Sequence, residues 1–165
     1  MKHLQEIPKI HPTAKVFDSA VVVGDVTIGE FSSVWFNATI RGDMAKVTIG
    51  KNTNIQDNAV VHTNTGLPTF IGDFVTVGHS AIIHAATVKN NALIGMGAIL
   101  LDGCIVNESA MVAAGCLVPP GKIVPERTLV VGNPMRIVRE LREDEIKSNI
   151  HNADEYLRLM SEYEE

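Results

Sequence analysis

The sequence predicts a parallel β-helix built from short strands and closed by one amphipathic helix. Two observations carry that prediction. An aliphatic residue returns at every sixth position for most of the chain, and the period turns helical only after Gly132-Asn133-Pro134. A period of six fits neither a helix, which repeats about every 3.6 residues, nor a long strand, which alternates residue by residue. It fits a short strand and a corner, repeated as a solenoid.

The aliphatic series begins Ile10, Val16, Val22, Ile28, Val34, Ile40, then runs Ile49, Ile55, Val61, then Ile71, Val77, Ile83. It resumes at Val88 and continues through Ile94, Leu100, Val106, Val112, Val118 and Val124 to Val130. Four places after each aliphatic stands a small or stubby residue, among them Ala38, Ala59, Ala81, Ala98, Cys104, Ala110 and Cys116. Three hexads make one triangular coil of eighteen residues, so twenty aliphatic positions give between six and seven coils. Neighbouring coils are expected about 4.8 Å apart. Gly29, Gly50, Gly72, Gly78 and Gly95 each follow an aliphatic, which predicts close backbone approach or positive φ there. A stack of this kind needs caps at its ends.

The period breaks three times. Ile40 to Ile49 has three extra residues, Val61 to Ile71 has four, and Ile83 to Val88 is one short. Insertions in a solenoid become surface loops, often on the functional face. With these corrections, Arg41, His62 and His84 each stand one place after an aliphatic and share one column. Asp57 and His79, each two places after an aliphatic, share a second column. The titratable residues therefore gather on two columns of three consecutive coils, beside both insertions.

At 165 residues the chain has the length of one domain, read here as a β-helix over residues 1–134 with a C-terminal helix packed on it over 135–165. The helix follows from Ile146, Ile150, Ala153, Leu157 and Met160 at helical spacing, with Tyr156 and Tyr163 off that stripe; the first dozen residues are expected to form an irregular cap. Aromatic residues make up only 5%, as expected of a narrow prism filled by Val, Ile and Ala. A net charge of −5, with no cluster of Lys and Arg, argues against a nucleic-acid partner. No stretch is long and apolar enough to span a membrane, and the first residues carry no signal-peptide core. Cys104 and Cys116 fall on different faces, which predicts two buried thiols rather than a disulfide. Together these features predict a cytoplasmic location.

Of six histidines, His62, His79 and His84 lie within 23 residues. Two imidazoles stacked about 4.8 Å apart have room to share a metal whose Zn–N bonds are about 2.0–2.1 Å. His79 stands across a corner from the other two, so a three-histidine site built with it suggests a second subunit. Three nitrogen ligands leave a fourth position open, as in catalytic zinc. A histidine ladder stacked on a sheet face without metal is the other reading of the same three residues.

The segments Arg41-Gly42-Asp43, Asn54 to Asn58 (NIQDN), the lone His62 and Gly78 to His84 (GHSAIIH) resemble those of the γ-class carbonic anhydrase-like family. IGMGAILLDG and VGNPMRIVREL resemble its closing coils, so the likeness covers nearly the whole chain. The resemblance implies a left-handed β-helix and a homotrimer with metal sites at its interfaces. It implies that His62 and His84 of one chain bind the metal with His79 of the next, and that Gln56 hydrogen-bonds the metal's water, with Asn54 beside it. Arg41, Asp43 and Asp57 correspond to an ion network at the interface; for Asp43 and Asp57 the implied role is to set subunit register, and for Arg41 a mixed one, structural and catalytic. Asn152 and Tyr156 match an N-x-x-x-Y pattern of the terminal helix; a core role for the tyrosine is the alternative.

The activity so implied is reversible hydration of carbon dioxide to bicarbonate by hydroxide on the metal, a small-molecule reaction. Zinc brings the pKa of its water to about 7; iron and cobalt also suit imidazole ligands. The chain departs from the family's prototype where a proton shuttle is expected. Met44 stands where the prototype has Glu, and the loop from Thr63 to Thr69 holds no carboxylate. That predicts metal binding with slow hydration. Three alternatives share the scaffold: a hexapeptide-repeat acyltransferase, an acyl-CoA thioesterase on the same metal, and a non-catalytic trimeric scaffold.

Overall fold

The computed structural model describes residues 2–163; Met1 of the expected N-terminal cap, and Glu164 and Glu165 of the expected C-terminal segment, lie outside the described residues. The chain winds as a left-handed parallel β-helix of about seven turns, followed by one α-helix. A short 3-10 helix, Lys2–Gln5, precedes the first strand.

Three faces follow from the hexads. The first stacks Thr39–Ile49, Val60–His62, Ile82–His84, Ile99–Leu100 and Leu117–Val118 in parallel register. The second stacks Thr69–Ile71, Thr87–Val88, Ile105–Val106 and Ile123–Val124. The third runs from Lys15–Val16 through Ser33–Val34, Asn54–Ile55, Thr76–Val77, Leu93–Ile94 and Met111–Val112 to Thr128–Val131. The repeating aliphatics fill the prism. Ile40, Val61, Ile83 and Leu100 stack along the first face, all fully buried. Burying each such side chain stabilises the fold by about 1.5–3 kcal/mol. The small residues Ala38, Ala59, Ala81, Ala98, Cys104 and Cys116 are buried beside the corners. Both cysteines are free, and burial pushes the Cys104 thiol up to about 12.

The glycines that follow the aliphatics are sites of close approach, not of positive φ. A Cβ on Gly78 would lie 2.8 Å from the Met96 amide nitrogen of the next coil. Gly78 thereby lets the corner that carries His79 pack tightly.

The insertions fall where the period breaks, in forms of their own. The three extra residues after Ile40 do not leave the sheet as a loop. Thr39–Ile49 is one long strand, paired with Val21–Ile28 on both sides of a register shift between Gly24 and Val26. Val23 and Gly24 pair with Arg41 and Gly42 before the shift and Val26 pairs with Val47 after it, so the extra residues lie between Gly42 and Val47 as a bulge opposite Asp25. The second insertion is a surface turn closed by paired backbone bonds between Asn64 and Leu67.

After the last coil the chain reverses, and Arg136–Glu140 returns antiparallel on Thr128–Val131, a strand the hexad pattern does not announce. The helix, Glu143–Glu162, starts after it. Glu145 accepts the Arg142 N–H at 2.9 Å, and its carboxylate also pairs with Arg139. Ile146, Ala153 and Met160 are buried as the helical spacing predicts. Tyr156 is half-buried rather than clear of the packed stripe, standing edge-on to Trp35 with ring centroids 5.2 Å apart. Phe17 and Trp35 stand one place after Val16 and Val34, outside the prism, and form the aromatic seat of the helix with Met160. No helix among the described residues is long and apolar enough to cross a membrane.

Candidate metal centre

The ladder brings the predicted columns together as two half-sites on separate faces. On the first face, Ile40 pairs with Val61, and His62 pairs directly with His84, so Arg41, His62 and His84 stand in one file. On the third face, Ile55 pairs with Val77, and the register carries Asp57 to His79 at the corner.

In the first half-site, His62 Nδ1 lies 3.2 Å from His84 Nε2. The outer nitrogen of each ring meets a carboxylate: His62 Nε2 is 2.9 Å from Asp43 Oδ1, and His84 Nδ1 bonds Asp102. Asp43 is nearly buried and also bonds Arg41. Burial works against its charge, but the bonds from His62 and Arg41 prevail and hold its carboxyl below the ordinary carboxylate range. The bonds from Asn64 and His84 hold Asp102 below that range as well. An ionised carboxylate only accepts hydrogen bonds. The ring nitrogens facing Asp43 and Asp102 therefore carry the hydrogens, and in neutral imidazoles the two nitrogens facing each other are both lone pairs.

The second half-site holds His79, with Nδ1 2.8 Å from Asp57 Oδ2 and Nε2 3.4 Å from the Tyr156 hydroxyl. Gln56 is buried; its Oε1 accepts the His79 backbone N–H at 3.2 Å, and its Nε2 donates to Asn54 Oδ1 at 3.0 Å. Asn54 in turn donates to Thr76 Oγ1 at 3.1 Å. A cavity of about 230 Å³ opens here, lined by Gln56, His79, Asn152 and Tyr156 with Leu93, Ile94 and Met96. Burial, with Asp57 nearby, raises the Tyr156 hydroxyl above its usual pKa.

No hydrogen bond joins His79 to His62 or His84 among the described residues, and no three potential ligands converge there within one chain. Arg41 pairs with Asp43, whereas Asp57 belongs to the His79 half. Asp102 escaped the sequence reading. The signal was present, because Leu100 pairs with Ile83 and so sets Asp102 two places on, one coil from His84. Thr76 and Met96 carry no signal of that kind beyond their place in the repeat.

Over 91% of its length the chain is 56% identical to a probable carbonic anhydrase of Methanocaldococcus jannaschii, covering 94% of that protein. It is 45% identical over 96% of its length to the mitochondrial γ carbonic anhydrase 2 of Arabidopsis thaliana, of which it spans 59%. The chain belongs to the γ-class carbonic anhydrase-like family. No family model matches it. Among solved structures, a putative acetyltransferase of Bacillus cereus superposes with a TM-score of 0.95 at 40% identity, covering 96% of this chain and 92% of that one. A shared fold with a putative acetyltransferase is expected of hexapeptide repeats in general.

Proposed function

We propose that this chain is a metal-dependent carbonic anhydrase, hydrating carbon dioxide reversibly at sites between the subunits of a homotrimer. The observation that carries the reading is the approach of His62 Nδ1 to His84 Nε2 at 3.2 Å, with a carboxylate on the far nitrogen of each ring. Two acceptors repel each other unless a cation lies between them. The separation is close to the roughly 3.3 Å between two nitrogens on a tetrahedral zinc with bonds of about 2.0–2.1 Å. Carboxylates on the far nitrogens are the usual support of metal-binding imidazoles. His79, likewise backed by a carboxylate and turned to another face, supplies the third nitrogen from a second copy.

Zinc bound there supplies a Lewis acid that brings its water's pKa to about 7. The protein's own groups do the rest. Asp43 and Asp102 orient the two imidazoles of one copy. In the other copy Asp57 orients His79, while Gln56, fixed by Asn54 and the His79 backbone, keeps one amide hydrogen to aim at the reacting oxygen. Tyr156 and Asn152 wall the cavity from the helix side, and Leu93, Ile94 and Met96 give it an apolar flank suited to a small uncharged substrate. At about 230 Å³ the cavity is smaller than the roughly 300–1,000 Å³ taken by drug-sized ligands. The carboxylate-backed histidines favour carbon dioxide hydration over acyl transfer, although the fold is shared with a putative acetyltransferase.

The test is stopped-flow hydration of carbon dioxide by zinc-, iron- and cobalt-loaded protein. The proposal expects a rate above buffer that His84→Ala abolishes. No hydration in a fully loaded trimer would leave the thioesterase or scaffold readings in its place.

A further inference from the structure

We infer that Asp102 is the positioning residue of His84 and that Asn64, on the second insertion, holds Asp102 to that task. The inference rests on the metal reading of His62 and His84. Asp102 is 30% exposed and plays no part in filling the prism. Both of its oxygens are nonetheless engaged, one on His84 Nδ1 and the other accepting from Asn64 Nδ2 at 2.7 Å.

The backbone around Asp102 leaves it no freedom. Gly103, in the left-handed region at φ +69°, donates its N–H to the Ala85 carbonyl at 2.7 Å. The Asp102 carbonyl accepts the Gly121 N–H at 2.9 Å. The backbone of Asp102 is thus fixed between the coil that carries His84 and the coil beyond, and its carboxylate is held by His84 and Asn64. Asn64 reaches it because the insertion folds back on itself through the Asn64 and Leu67 backbone pair, 38 residues away in sequence. A turn of the same length without that pair would leave the Asn64 amide free.

The consequence is chemical. An imidazole free to rotate presents either nitrogen, or a ring carbon, to its neighbour. A pinned acceptor on Nδ1 keeps that nitrogen protonated and leaves Nε2 as the lone pair facing His62. Asp43 does the same for His62 but is shared with Arg41, so the two carboxylates are not interchangeable. A carboxylate on the far nitrogen also makes the ring a better ligand.

The experiment is cobalt(II) titration of the trimer, read by affinity and by the visible cobalt absorption, with apoprotein melting alongside. Asp102→Ala should weaken cobalt binding by about 10–100-fold and shift the spectrum. Asp102→Asn, which keeps an acceptor oxygen without the charge, should fall between it and wild type. Asn64→Ala should cause a smaller loss of the same sign. Wild-type affinity and spectrum in Asp102→Ala overturn the inference. So does an affinity loss that merely tracks a lower apoprotein melting temperature while the spectrum stays that of wild type. If His84→Ala binds cobalt as wild type does, the metal reading itself fails, and this role with it.

Discussion

His62 and His84 occupy equivalent places on adjacent coils and face each other through ring nitrogens 3.2 Å apart, each ring backed by its own carboxylate. That arrangement is costly without a cation and favourable with one. Purified protein is therefore expected to hold close to one divalent ion per chain, removable by chelator. His62→Ala and His84→Ala should each abolish binding, as metal analysis by mass spectrometry will read. Full occupancy in either variant would remove the pair from the metal site and leave a histidine ladder bridged by a proton.

Gln56 is buried, with one amide hydrogen committed to Asn54 and the other without a partner among the described residues. Gln56→Ala should lower kcat by about a hundredfold, the usual cost of one positioned donor, while metal content stays at the wild-type level. Loss of metal together with activity would make Gln56 a support of His79, whose backbone it bonds, rather than a group acting on the substrate.

Proton removal is expected to limit turnover. Met44 offers no carboxylate, and the loop from Thr63 to Thr69 holds none. Asp102, bonded to His84, already has both oxygens engaged. Hydration should climb with buffer concentration, and added imidazole or Met44→Glu should raise it. A measurable rate indifferent to all three would place the slow step elsewhere.

The helix is tied to the last strands by an acid-sensitive cluster. Bonds from Arg139 and from the Arg142 backbone lower the Glu145 carboxyl from an ordinary 4.5 to about 2. Its folded value lies below its unfolded value, so the unfolded chain binds more protons between them. The contribution is complete above about 4.5 and is lost as pH falls from there toward about 2. Melting followed by circular dichroism should show a drop across that window that is shallower in Glu145→Gln. Parallel acid profiles would make the exposed cluster irrelevant to stability.

Much of this was legible because the repeat turns sequence distance into spatial register. Once three interruptions are subtracted, His62 must stand beside His84, and Asp57 beside His79. What the repeat cannot announce lies where the chain leaves it. The three extra residues after Ile40 form a bulge between Gly42 and Val47, because the ladder to Val21–Ile28 is kept on both sides of it. The strand Arg136–Glu140 pairs antiparallel, outside the hexad rhythm. Tyr156 is drawn inward by Trp35, a contact between elements 121 positions apart that no local spacing encodes. Asp102 was within reach of the same column counting that found the histidines, but a carboxylate beside leucines reads as a turn residue until His84 is seen against it.

The most direct measurement concerns the division of the centre between subunits. A His79→Ala chain is mixed with a chain carrying both His62→Ala and His84→Ala under conditions of subunit exchange, and bound zinc is counted. Neither parent should hold zinc at this site, and the mixture should regain a fraction of it. A mixture that restores no zinc, or a His79→Ala parent that keeps its full complement, would contradict a centre shared between two copies.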